Sequence, residues 1–241
     1  MDELVKALTE QARRLVTERF PRARGAVLGG SAARGTARGT SDLDIAVLLP
    51  DGAPARREVI RHEGRLSELF LHAGPDLERF FEEDRAVRRG TVLFLYDEGL
   101  VLADPYGEVA RMRERARKVL AAGPLPLTEA QRERSRYVLT CWLDDLYDTP
   151  REARSEQLAV ADAALREAAH LLTAHHNAWT GIGRWLPRRL LAADPEHGGT
   201  LLAGHRAIAE TGDPGALAAA VRAVLDLVGG ELREGYVEVR S

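Results

Sequence analysis

The stretch from Gly29 to Leu49, GGSAARGTARGTSDLDIAVLL, constrains the fold more than any other. Arg24 to Gly29 (RGAVLG) is a short apolar run ending in two glycines, the pattern of a strand entering a tight turn. An Arg/Gly/Thr-rich loop follows, and Asp42-Leu43-Asp44 then opens a second strand, Leu43 to Leu49. Glycine lets a ligand approach the backbone closely, and a turn leading into a helix offers free N–H donors to an anion. The Ser31 hydroxyl adds a donor suited to a phosphate oxygen. Asp42 and Asp44 are two positions apart in an extended segment, so both leave the same face, roughly 6–7 Å apart at their roots. Carboxylates so placed can bridge one Mg²⁺ and share a second, and Mg²⁺ keeps waters and substrate phosphates in its shell. Taken singly, a Gly-Gly-Ser turn or an acidic strand entry is ordinary. Joined across ten residues between two strands, they suit a metal-bound nucleoside triphosphate.

The rest of the chain divides in two. Asp2 to Phe20 carries Leu4, Val5, Leu8, Ala12, Leu15 and Val16 at helical spacing and stops at Pro21. A third strand is expected over Val59 to His72, a helix over Pro75 to Arg88, short strands over Thr91 to Tyr96 and Gly99 to Leu102, and a helix over Tyr106 to Ala121. After Gly123-Pro124-Leu125-Pro126 only helix-period stretches remain: Thr128 to Tyr147, Glu152 to Asn177, Leu201 to Glu210 and Pro214 to Val228. Thr128 can cap the first of these and Gly229-Gly230 ends the last, while Ala192 to Thr200 reads as a loop. The expected class is α+β: a small mixed sheet with helices over residues 1–122, then an all-α helical bundle over 123–241.

Gly30-Ser31, ten residues, then Asp42-Leu43-Asp44 resembles the signature of the DNA polymerase β-type nucleotidyltransferase superfamily. That resemblance implies Mg²⁺-dependent transfer of a nucleoside monophosphate, with two ions and ATP as co-substrate. Gly29, Gly30, Ser31 and Ser41 would bind the nucleotide, and Asp42 and Asp44 the metal. The family's third carboxylate lies on a later, neighbouring strand. The matching position here is Glu68, the only acid inside Arg65 to Leu71 (RLSELFL), with Glu63 and then Glu58 as alternatives. An α/β module followed by about 110 helical residues is similar to the aminoglycoside adenylyltransferases of the streptomycin/spectinomycin type. Trp179 to Trp185 (WTGIGRW) resembles a Thr-Gly-Lys segment of those enzymes, with Arg184 near the phosphate-contacting lysine but two residues further on. The partners so implied are a nucleoside triphosphate and a small hydroxylated acceptor. A second reading is a minimal-nucleotidyltransferase antitoxin acting on a HEPN-type partner protein, against which the extra helical half counts.

Composition removes other classes. A net charge of −3 offers no bulk attraction for nucleic acid or an anionic membrane. Lys6 and Lys118 are the only lysines among 34 basic residues, so a lone Arg carries little information about phosphate binding. Cys141 is the single cysteine, which excludes an intrachain disulfide and a cysteine zinc cluster. No apolar run reaches the ~18 residues of a membrane span, and Met1-Asp2-Glu3-Leu4 is acidic where a signal peptide is basic, so a cytoplasmic protein is expected. Neither a P-loop, a dinucleotide fingerprint nor a hydrolase elbow is present. The acidic run Asp144-Asp145 to Asp148 reads mainly as solvated, with acceptor contact the alternative. His170 and His175-His176 lack three-ligand metal spacing.

Overall fold

The computed structural model describes residues 3–238. Met1 and Asp2, on which the leader reading and the start of the first helix fall, lie outside the described residues. The chain forms two compact units, Met1–Gly123 and Pro124–Ser241.

The first unit runs α1 (Glu3–Arg19), β1 (Gly25–Leu28), α2 (Gly30–Ala33), β2 (Leu43–Leu49), β3 (Arg56–His62), β4 (Arg65–Ala73), α3 (Gly74–Ala86), α4 (Thr91–Glu98), β5 (Leu100–Ala103) and α5 (Glu108–Ala122). Its sheet has the order β3-β4-β2-β1-β5, mixed because β2 and β4 are parallel while the other neighbours are antiparallel. The central β2, LDIAVLL, is covered on both faces, as its nearly unbroken apolar run requires. Leu43, Ile45 and Val47 of β2 join Leu69 and Leu71 of β4 against Leu8, Ala12, Leu15 and Val16 of α1. The strand pleat therefore sends Asp44, Ala46, Glu68, Phe70 and His72 to the opposite face. The edge strand β3, RREVIRH, exposes Arg56, Arg57 and Arg61, and such charges blunt pairing with another chain.

Two expectations in this unit are corrected. The single strand expected over Val59 to His72 is a hairpin of β3 and β4, closed by Glu63 and Gly64 with φ of 46° and 78°. Two successive positive φ values make a tight two-residue turn matching the strand twist, and Glu-Gly announces it less plainly than Asn-Gly. The strand expected over Thr91 to Tyr96 is α4. Its composition favours a strand, but Gly90 enters the helix left-handed, and the buried Asp84 carboxylate of α3 accepts the N–H groups of Val92 (2.6 Å) and Leu93 (3.0 Å). Burial pushes the Asp84 carboxyl upward while those N–H groups pull it down. Tertiary capping overrides propensity here.

The second unit holds α6 (Glu129–Asp148), α7 (Arg154–His175), α8 (Trp185–Ala193), α9 (Pro195–Thr211) and α10 (Gly215–Leu227) around an apolar core that includes Leu143, Leu172, Leu201 and Val221. Thr128 caps α6 as expected: its Oγ1 accepts the Gln131 N–H, and Gln131 Oε1 accepts the Thr128 N–H at 2.9 Å. The loop expected over Ala192 to Thr200 is instead the junction of α8 and α9. Asp194 caps α9 by accepting the N–H groups of Glu196 and His197, and Pro195 sits in the first turn. Asp-Pro followed by Glu was a legible helix start. No helix among the described residues is long and apolar enough to cross a membrane. The α+β class, a mixed sheet with helices followed by a helical region, stands as expected.

Candidate active site

The turn after β1 and the head of β2 form one object. The Gly29 N–H donates to the Asp44 carbonyl at 2.8 Å, extending the β1–β2 ladder by a rung. Gly30 then takes φ +62°, and a Cβ on it would stand 1.8 Å from Asp44 Oδ2 and 2.8 Å from Asp44 Cγ. Only a residue without a side chain fits between the turn and that carboxylate. Ser31 follows, half-buried, at the start of the single turn α2. Asp42 lies one residue ahead of β2 and is exposed, and Leu43 between the two acids is buried toward α1.

Register separates the three candidate acids. In the parallel β2–β4 pair Asp44 is opposite Glu68, so the two side chains leave the same face of neighbouring strands about 4.8 Å apart. The alternatives are placed elsewhere. Glu63 lies in the hairpin turn, where Arg14 of α1 grips it with two bonds of 2.8 and 2.7 Å and holds its carboxyl below the usual range. Glu58 pairs across from Leu69, on the α1 face, and its carboxyl is lowered by Arg56 and then by Arg19. Glu68 itself, with 18% of its side chain exposed, forms an ion pair with Arg57 of β3. The Arg57 guanidinium also lies 5.2 Å over the Phe70 ring. Among the described residues, no three or more His, Cys, Asp or Glu side chains are gathered into a metal-binding group.

The remaining expected residues are distributed as follows. The Ser41 hydroxyl accepts the Arg38 N–H at 2.9 Å, closing the turn that delivers the chain to Asp42. Arg34 forms a 3.7 Å ion pair with Glu98. Arg184 belongs to the second unit, exposed at the N-terminus of α8, where the Trp185 ring lies beneath Arg188 and Arg189. In the acidic run, Asp144 is engaged by Arg233, which lowers its carboxyl. His176 Nε2 and His197 Nδ1 both meet Asp194, at 3.0 and 2.9 Å.

Sequence reasoning passed over Arg57, Arg65 and the ground beside Glu68. A cavity of about 360 Å³ continues along the acidic face, lined in part by Arg57, Phe70, His72, Arg79 and Phe80. At its base His72 Nε2 and the Tyr96 hydroxyl are hydrogen-bonded at 2.7 Å; burial lowers the His72 imidazole to about 4 and raises the Tyr96 phenol. No local pattern marks these residues, because β3, β4, α3 and α4 must first assemble to bring them together.

A Gly-Ser turn is thus seated on a strand-borne aspartate, with a second carboxylate in register on the next strand. Residues 9–87 match the model of the nucleotidyltransferase domain family, about a third of the chain and a span from within α1 to just beyond α3. By that match residues 9–87 are similar to a nucleotidyltransferase domain, a family of transferases that generally use a nucleoside triphosphate and a divalent metal. Among solved structures, a nucleotidyltransferase-like protein from Exiguobacterium sibiricum 255-15 is 14% identical, covering 92% of this chain and 74% of that one at a TM-score of 0.45. No curated protein matches the chain significantly.

Proposed function

We propose that the chain transfers AMP from ATP to a hydroxyl of a small molecule, an aminoglycoside-like or other polyol acceptor, with release of pyrophosphate. The observation that carries this reading is the contact of Gly30 with the Asp44 carboxylate, which lies in register with Glu68. The residues suit Mg²⁺: the donors are hard carboxylate oxygens, and Asp44 is anchored in a buried strand with its carboxylate held against the Gly30 turn. Asp42 and Asp44 would hold the ion, with Glu68 the third donor once Arg57 gives it up. Bound Mg²⁺ supplies Lewis acidity toward the acceptor hydroxyl and neutralises charge on the leaving pyrophosphate.

The chain's own groups orient the reactants. Gly29, Gly30 and Ser31 receive the phosphates, and the rung from Gly29 to the Asp44 carbonyl keeps the phosphate turn and the carboxylate at constant spacing. Ser41 would contact the nucleotide beside Asp42. Glu68, beside Asp44, would take the acceptor's hydroxyl proton as the new oxygen–phosphorus bond forms and the bond to pyrophosphate breaks. The test is mass spectrometry of acceptor panels incubated with ATP and Mg²⁺. An acceptor one AMP heavier is expected, and it disappears in Asp44→Asn. Absence of any nucleotidylated product with every common nucleoside triphosphate would refute the reading.

A further inference from the structure

The approach to Asp42 is polar and exposed: Gly35, Thr36, Arg38, Gly39 and Thr40 all face solvent. Its last turn is closed by two bonds, the Arg38 N–H to Ser41 Oγ and the Ser41 N–H to the Arg38 carbonyl, each 2.9 Å. That turn hangs from one side chain. Arg65, the first residue of β4, donates through Nη1 to the Gly39 carbonyl at 2.9 Å and to the Ser41 carbonyl, and through Nε to Gln11 Oε1 at 3.0 Å. Gln11, buried on α1, is itself held by the His62 carbonyl, to which its Nε2 donates at 3.1 Å. One guanidinium thus ties together α1, the strand that carries Glu68, and the residue directly before Asp42.

We propose that Arg65 is a positioning residue: it sets where Asp42 stands relative to Asp44 and Glu68, and through that the affinity of the site for a divalent ion. The inference rests on the proposed role of these three acids as metal ligands. A planar fork with several fixed donors can satisfy two carbonyls and a glutamine together, whereas an ammonium is a single point charge on a flexible stem. Loss of the fork leaves the Gly39 and Ser41 carbonyls to solvent and lets the turn drift by the small distances to which metal coordination is sensitive. Groups that orient metal ligands from behind typically change metal affinity by about 10- to 100-fold when replaced.

The experiment titrates the whole chain with Mn²⁺ alone, following loss of the free-ion electron paramagnetic resonance signal, and measures amide hydrogen exchange over residues 39–42. Arg65→Lys is expected to weaken Mn²⁺ binding about tenfold and to speed exchange in that segment, with kcat recovering at saturating metal. Gln11→Met, which removes the group that aims Arg65, is expected to weaken it less and carries the test if Arg65→Lys fails to fold. Asp44→Asn is the reference and is expected to abolish binding. If Asp44→Asn binds Mn²⁺ as the parent does, the metal-ligand reading falls. If Asp44→Asn loses the ion while folded Arg65→Lys or Gln11→Met binds it with parental affinity, that reading stands and the role of Arg65 is overturned.

Discussion

Replacing Gly30 by alanine separates the geometry of the phosphate turn from its mere stability. Gly30, at the head of α2, and Gly35, just beyond its end, have nearly equal φ, +62° and +67°. A side chain in this region costs about 1–2 kcal/mol at either position. The two sites differ in what the new methyl meets. At Gly35 nothing lies within 4 Å, whereas at Gly30 the Cβ would be 1.8 Å from Asp44 Oδ2 and 3.2 Å from Asp44 Cβ. An ordinary contact requires more than an ångström of extra separation, so either the carboxylate rotates away or the turn lifts off β2. A displacement of about 1 Å at reacting groups costs on the order of 100-fold in rate. Gly35→Ala should therefore lose about 1–2 kcal/mol in urea unfolding, and Gly30→Ala more, since the overlap with Asp44 adds to the same backbone cost. Nucleotidyl transfer, read as formation of the AMP-bearing acceptor, should survive in Gly35→Ala and fall about 100-fold in Gly30→Ala. Equal rates in the two variants would refute the argument that the turn and Asp44 work as one rigid piece.

Two further outcomes follow from buried polar groups. His72 is held neutral, its imidazole lowered from 6.5 to about 4, so the unfolded chain binds a proton that the folded one refuses. Stability from this residue is complete above about pH 6.5 and is lost as pH falls toward 4, by about 3 kcal/mol at full extent. Urea unfolding at pH 7 and at pH 4.5 should show this loss shrink in His72→Gln, and an unchanged difference would exclude His72 as its source. Asp84→Ala strips the acceptor from the Val92 and Leu93 N–H groups and should destabilise the fold by about 2–3 kcal/mol. Asp84→Asn retains an acceptor and should cost less, which thermal unfolding of the pair will check.

Much of the fold was legible because it is set within a few residues. The apolar run of β2 marks a central strand wherever it pairs, and Thr128 with Gln131 closes a capping box from its own neighbours. The Gly-Ser and Asp-x-Asp pair was legible for the same reason: strand, turn and strand impose their own geometry. Elements governed by distant groups were misread. The residues of α4 look like a strand until Asp84, eight positions upstream, supplies an acceptor for its first amides. The hairpin at Glu63-Gly64 hides in what reads as one strand, since neither residue is a strong turn signal.

The same division runs through the site. By themselves the residues determined a glycine turn ahead of two acids one residue apart, of which the structure carries Asp44 on β2 and Asp42 immediately before it. Which of Glu58, Glu63 and Glu68 lies opposite Asp44 was decided only by the parallel register of β4 on β2, a pairing between segments more than twenty residues apart. Arg57 on Glu68 and Arg65 beneath the Asp42 turn belong to that second category. A guanidinium finds its partners only after the sheet and α1 have packed, and no spacing along the chain encodes the carbonyls it will meet.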